Sequence, residues 1–181
     1  MVVEALLDLA EYGYLPVDSN RTKVLDFGVS DGGVGELLHN LGYSEIYGQT
    51  GSEQKQRKVL MKGHYKQIDA FIVGKQSMPN YFRRNFDIVS CAANLGVGLM
   101  PSKCLADITT ALKKGGILSL SINERMLKPD TDKKTGYRET IEKLTETGVW
   151  KPLTNLEFVR ESVLYKSNEE QRYRVMTFEK L

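Results

Sequence analysis

The sequence predicts a doubly wound α/β fold: a mostly parallel β-sheet with helices on both faces, finished by an antiparallel hairpin. Three observations predict it. Short β-type runs alternate with segments of helical periodicity between Lys23 and Ile122, the first run stops in a glycine-rich turn, and two further β-rich runs lie close together near the end. Such alternation makes βαβ units, whose right-handed crossovers lay successive strands parallel and place helices over them.

Residues 1–20 supply a short N-terminal helix, with Met1 to about Tyr14 left to cover a ligand and Tyr12 and Tyr14 as aromatic reach. Lys23-Val24-Leu25-Asp26-Phe27-Gly28 is the first strand. It stops in Val29-Ser30-Asp31-Gly32-Gly33, after which Val34, Leu37, Leu38 and Leu41 recur at helical spacing and Gly42 ends the pattern. Glu45-Ile46-Tyr47-Gly48-Gln49 is the second strand, and Ser52 caps a polar helix running to about Gly63. Ile68 to Val73 is the third strand and Phe86 to Cys91 the fourth. A helix over Pro101 to Leu112 presents Leu105, Ile108 and Leu112 on one face, and Lys114-Gly115-Gly116 turns into the fifth strand, Ile117 to Ile122. A late helix spans about Gly136 to Thr147. Phe158 to Lys166 and Arg172 to Glu179 then read as a hairpin joined through Ser167-Asn168-Glu169-Glu170.

A chain of 181 residues is about the size of one domain and long enough to bury roughly 70% of its unfolded surface. We divide it into residues 1–20, a βαβ core over 21–123, and a terminal part over 124–181. The 25 basic and 23 acidic residues leave a formal charge of +2, which gives no broad field to attract nucleic acid. Lys55, Arg57, Lys58 and Lys62 crowd one helix, which reads as a solvated face. No apolar run approaches the roughly 20 residues that span a bilayer. The opening segment carries acids where a signal peptide carries a basic flank, so a cytoplasmic protein is expected. Cys91 and Cys104 lack neighbouring His or Cys and read as reduced thiols, with no metal cluster.

Five parallel strands, a glycine turn after the first and a terminal hairpin together resemble the seven-stranded, Rossmann-like fold of the class I S-adenosylmethionine-dependent methyltransferases. The residues that carry the resemblance are Val24-Leu25-Asp26-Phe27-Gly28, Tyr47-Gly48-Gln49-Thr50-Gly51-Ser52, Phe86-Asp87-Ile88-Val89-Ser90, and Leu112-Lys113-Lys114-Gly115-Gly116-Ile117-Leu118. More narrowly, Gly63-His64-Tyr65, Tyr137-Arg138-Glu139-Thr140-Ile141 and Gly148-Val149-Trp150 are similar to the methyltransferase-like proteins first named from the Williams–Beuren chromosomal region.

The resemblance implies a cofactor, S-adenosylmethionine, in the crevice where strand order reverses, between the first and fourth strands. It implies cofactor contacts from Asp26, Gly28, Ser30 and Gly32 in the first turn, from Gln49 and Thr50 after the second strand, from Val73 or Gly74 after the third, and from Cys91, Ala92 and Ala93 after the fourth. The acceptor, a small molecule or an exposed protein side chain, is not specified; Asn94 and Asn123 face it, along with Glu124 and Arg125.

Three positions depart from the family pattern. Ser30 stands at its middle glycine, where a left-handed backbone would cost a non-glycine about 1–2 kcal/mol. Thr50 stands where an acid accepts from the ribose hydroxyls, a swap expected to weaken binding roughly tenfold. Val73 or Gly74 replaces the polar residue near adenine. Asp31 suits a helix cap but would repel a bound carboxylate.

Methyl transfer from a sulfonium needs alignment more than covalent help. A dedicated base is therefore optional, and His39 and His64 lie away from the expected crevice. Two other readings stay open. The same departures fit a degenerate methyltransferase fold kept as an interaction module. Alternatively, Gly28-x-Ser30-x-x-Gly33 is a broken nicotinamide fingerprint, which also lacks the acid expected about 20 residues on.

Overall fold

The computed structural model describes residues 2–11, 13, 18–153, 161–166 and 169–181. Tyr12, Tyr14, the start of the first hairpin run at Phe158 and the turn at Ser167-Asn168 lie outside the described residues. Five strands, β1 (Val24–Phe27), β2 (Ile46–Thr50), β3 (Gln67–Ala70), β4 (Phe86–Leu95) and β5 (Leu112–Asn123), pair in parallel in the order β3-β2-β1-β4-β5. They continue into β8 (Glu169–Lys180), antiparallel to β5. β6 (Trp150–Pro152) and β7 (Glu161–Lys166) both pair with β8 on the edge that β5 leaves free, so among the described residues eight strands fill seven sheet positions.

The helices are α1 (Val2–Glu11), α2 (Gly33–Asn40), α3 (Glu53–Leu60), α4 (Cys104–Thr110), α5 (Pro129–Thr135) and α6 (Tyr137–Glu146). Ser52 caps α3 as expected, its Oγ accepting from the Lys55 N–H at 3.3 Å. α6 and the β7–β8 hairpin also fall where the sequence places them.

Several bounds differ. β3 stops at Ala70 instead of Val73 because the Ile72 N–H is taken by Gln76 Oε1 at 2.6 Å, which turns the chain off the sheet. β4 runs on to Leu95 through a register shift between Cys91 and Leu95. α4 starts only at Cys104 and β5 already at Leu112. β6 and α5 have too few residues to show a periodicity, and only pairing with β8 reveals β6.

Side chains alternate across each strand. Leu25, Phe27, Val89, Cys91, Leu118, Leu120 and Ile122 face one core together with α4 and α6. There Trp150 stacks on Phe178 at 4.3 Å and its Nε1 donates to Thr145 Oγ1. Val24, Ile46, Ile88, Ile117 and Val175 face the other, with Val2, Val3, Ala5 and Leu6 of α1 and Leu38 of α2.

On this second face Asp26, Ser90, Ser119 and Thr177 stand in one register row across β1, β4, β5 and β8, all buried. Asp26 is held there by Tyr65, whose hydroxyl donates to Asp26 Oδ2 at 2.7 Å and accepts from the Gly35 N–H at 3.0 Å. The tyrosine ring lies directly over Gly35: a β-carbon there would sit 2.2 Å from Tyr65 Cζ. Because Tyr65 is buried, its ring has nowhere to retreat. Gly35→Ala is therefore expected to destabilise the protein by at least about 2 kcal/mol, read as a lower urea midpoint at unchanged slope. A stability within error of the parent would show that Tyr65 moves freely.

Candidate functional site

The strand order reverses between β1 and β4, so the crevice opens at their carboxyl ends. Gly28 and Gly32 have φ of 90° and 91°, where only glycine is unstrained. Ser30 has no positive φ, so its expected backbone penalty does not arise. The turn is laced to β2 because the N–H groups of Gly28 and Val29 both donate to Gln49 O, at 3.0 and 2.7 Å. Asp31 Oδ1 accepts from the Gly33 N–H at 3.2 Å, at the entry to α2, and so behaves as the structural residue its position suggested.

β4 ends in a strained step. Ala93 takes φ of 53° and donates its N–H to Ser121 Oγ. That step carries Asn94 over the first turn, where its Nδ2 donates to Gly28 O at 2.6 Å and to Ala92 O at 2.7 Å. A β-carbon on Gly28 would lie 2.5 Å from Asn94 Cγ. The space that Gly28 leaves open is thus occupied by the Asn94 carboxamide.

Two clefts meet at this turn, and both are lined by Gly28 and Ser30. The first, of about 450 Å³, lies beyond β2 and β3 and takes Gln49, Thr50, Val73 and Asn94, with Phe71, Ile72 and the loop from Gly98 to Lys103. Tyr137 of α6 shapes that loop by accepting from the Gly96 N–H and donating to Met100 O. The second, of about 480 Å³, lies under α1 and takes Asp26, Gly32 and Ala92 with Val2, Val3, Asp31 and Glu36.

The clefts differ in charge. Among the described residues, the first has Lys55, Lys75 and Lys103 and no carboxylate, whereas the second has Asp26, Asp31 and Glu36 and no basic side chain. Gln49 is 2% exposed. Its Nε2 donates to Phe71 O at 2.5 Å, which fixes the amide's orientation, and among the described residues its Oε1 has no partner.

Asp26 differs from an open ligand contact. Both its oxygens are engaged inside the protein, Oδ2 by Tyr65 and Oδ1 by Ser90 Oγ at 3.2 Å. Burial raises its pKa to about 6; the two hydroxyls lower it in part, and the charge of Asp31 adds to the rise.

Two expected site residues are not brought to the crevice. Cys91 falls, by strand alternation, on the opposite face beside Val89 and is fully buried in that core, where burial pushes its thiol pKa up. Asn123 is used as a cap: its Oδ1 accepts from the Arg125 N–H at 3.0 Å at the start of the 3₁₀ turn Glu124–Leu127, and it lines neither cleft. His39 and His64 lie together, ring centroids 5.3 Å apart, away from both clefts. Among the described residues no three His, Cys, Asp or Glu side chains converge on a possible metal.

The three lysines were not legible as site residues. Lys55 belongs to a helix read as solvated, Lys75 sits in a loop without a motif, and Lys103 falls within the helix expected over Pro101 to Leu112, off its apolar face. Tyr65 was visible only within Gly63-His64-Tyr65, with nothing to signal its reach to Asp26.

No protein-family model matches the sequence, and no curated protein matches it either. Solved structures do match its fold. An S-adenosylmethionine-dependent methyltransferase from Methanosarcina mazei superposes with a TM-score of 0.67 at 16% identity, covering 95% of this chain and 97% of its own. Magnesium protoporphyrin IX methyltransferase from Synechocystis PCC 6803, with bound S-adenosylmethionine, gives 0.64 at 14%, covering 99% and 78%. A putative RNA methyltransferase from Pyrococcus horikoshii gives 0.67 at 15%, covering 99% and 81%. The chain has the Rossmann-like fold of these methyltransferases.

The raised pKa of Asp26 generates a prediction about pH. Its unfolded value is 3.8 and its folded value about 6, so the folded protein keeps a proton that the unfolded chain loses between these limits. Stability should therefore fall as pH rises from about 4 to 6 and level off above, by about 3 kcal/mol for this group. Asp26→Asn should lose that decline and gain on the parent across the window, measured by urea unfolding at stepped pH. A constant difference between the two proteins would mean that Asp26 ionises freely.

Proposed function

We propose that the chain is an S-adenosylmethionine-dependent methyltransferase whose donor lies across the Gly28–Ser30 turn, adenosyl half in the first cleft and methionyl half in the second. The observation that carries this reading is the meeting of two clefts at Gly28 and Ser30, at the reversal between β1 and β4. The fold neighbours, one of them holding S-adenosylmethionine, support the choice of ligand.

The residues fit that cofactor. The unpartnered Gln49 Oε1 is a buried acceptor in want of a donor, which a ribose hydroxyl provides. Thr50 stands beside it, and Phe71, Ile72 and Val73 offer apolar walls to a base. In the second cleft the Asp31 and Glu36 carboxylates suit a positively charged amino group and sulfonium, while the lining offers no basic side chain to the methionyl carboxylate, which Asp31 opposes. When bound, the cofactor supplies a methyl group already activated for transfer.

The protein's own part is alignment. Asn94 sits at the boundary of the two clefts and must leave Gly28 O for a ligand to cross, after which its carboxamide is free to orient an acceptor. Asp26 holds the turn through its buried hydrogen bonds, not through the ligand. The acceptor is a small molecule or an exposed protein side chain.

The narrower assignment, to the methyltransferase-like proteins of the Williams–Beuren region, rests on Gly63-His64-Tyr65 and Gly148-Val149-Trp150. Those stretches of sequence are what it rests on, and in the structure Tyr65 and Trp150 pack on opposite faces of the sheet. A cytoplasmic location belongs to the same proposal, from the two buried free thiols.

Calorimetric titration with S-adenosylmethionine and its demethylated product, S-adenosylhomocysteine, beside a nicotinamide cofactor, tests the reading. Saturable binding of the first pair alone is expected, and silence from all three would favour the interaction module. Thr50→Asp should restore a charged acceptor and tighten S-adenosylhomocysteine binding by about 1 kcal/mol, roughly fivefold. A folded variant with no gain would remove Thr50 from the ribose site.

A further inference from the structure

The first cleft carries a charge that a methyl-donor site does not need. Lys55 lies in the first turn of α3, Lys75 follows β3 and Lys103 precedes α4, so three separate elements contribute a lysine to the lining of one space of about 450 Å³. None of the three makes an ion pair among the described residues, and no Asp or Glu lines the cleft to neutralise them. Lys103 lies against Gly74, another lining residue: its Cε is 3.3 Å from where a β-carbon of Gly74 would be. Three unpaired cations around one cavity raise the local potential and favour an anion there. The family acid that would oppose them is Thr50 here.

Two further observations define what accompanies the anion. Gln49 lines the cleft, and its buried Oε1, without a partner among the described residues, calls for a hydroxyl or amino donor. Phe71, Ile72 and Leu99 give it apolar walls, Leu99 being 55% exposed at the rim, and a sugar phosphate alone has no flat apolar group to cover them. The volume lies within the roughly 300–1,000 Å³ of small-molecule sites.

We propose that the first cleft binds a mononucleotide, its nucleoside against Gln49 and the apolar walls and its phosphate on Lys55, Lys75 and Lys103. Such a ligand competes with the adenosyl half of the methyl donor. The competition rests on the donor reading above; the phosphate site does not.

The test uses the full chain and titrates adenosine, adenosine 5′-monophosphate, inorganic phosphate and S-adenosylhomocysteine at low salt. The monophosphate is expected to bind at least about tenfold tighter than adenosine, with the advantage shrinking severalfold as salt rises from about 50 to 300 mM. Inorganic phosphate alone should bind far more weakly. Lys55→Gln, Lys75→Gln and Lys103→Gln should each weaken the monophosphate about threefold, and the triple variant should bind it no better than adenosine. Adenosine and S-adenosylhomocysteine should stay within about twofold in all of them. These side chains are exposed, so thermal melts should stay unchanged, and a shifted melt would count against a ligand role.

A monophosphate no tighter than adenosine, or a triple variant that keeps the advantage, overturns the proposal. S-adenosylhomocysteine binding that the monophosphate cannot displace overturns the competition and leaves the donor reading standing. Silence from every adenosine compound sinks both. A short single-stranded RNA that binds much more tightly than the mononucleotide would replace the proposal with a nucleic-acid site.

Discussion

The buried carboxyl of Asp26 is the constraint on which the crevice depends. It sits one residue before the end of β1, with Ser90 beside it in register on β4 and Tyr65 reaching it from the start of the third βαβ unit. An unpartnered carboxylate in that place would be prohibitive, so each hydroxyl must be delivered accurately. Tyr65 can arrive only because Gly35 and Gly48 have no side chains: β-carbons there would lie 2.2 and 3.2 Å from its ring. The tyrosine in turn accepts from the Gly35 N–H and fixes the first turn of α2. One polar group thereby ties β1, β4, α2 and the approach to β3 into a single geometry, and the glycine turn is suspended from it.

That turn divides the crevice into halves of opposite character. On the β2–β3 side stand three lysines and a buried amide oxygen without a partner; on the α1 side stand carboxylates and the entry of α2. Asn94 lies between them, placed by the strained φ of Ala93. Strain of this kind persists only where surrounding structure enforces it. Here the Ser121 hydroxyl holds the Ala93 amide, and two backbone carbonyls hold the carboxamide. A ligand spanning both halves would exchange those hydrogen bonds for its own.

Much of the fold was legible because its signals are local. Alternating apolar runs gave the five parallel strands, Ser52 gave a cap, and Gly28 and Gly32 gave the two left-handed positions of the turn. Within the site, Gly28, Ser30, Gln49, Thr50, Val73, Ala92 and Asn94 do line the clefts, since each closely follows or ends a strand at the sheet's carboxyl edge. Cys91 failed because a one-residue step along a strand reverses the face, and the sequence does not say which face the crevice uses. Asn123 failed because a side-chain amide at a strand end serves a turn as readily as a ligand.

The sequence by itself determined the alternation of the five parallel strands with their helices and the backbone freedom of the glycine turn, because periodicity and φ preference are properties of neighbouring residues. Only the tertiary structure decided what the crevice contains. Lys55, Lys75 and Lys103 become one cationic rim, Gln49 Oε1 an orphan acceptor and Asp26 an internal anchor through contacts between elements distant in sequence. Charge and hydrogen-bond demand at a site are sums over such contacts, and no local pattern records them.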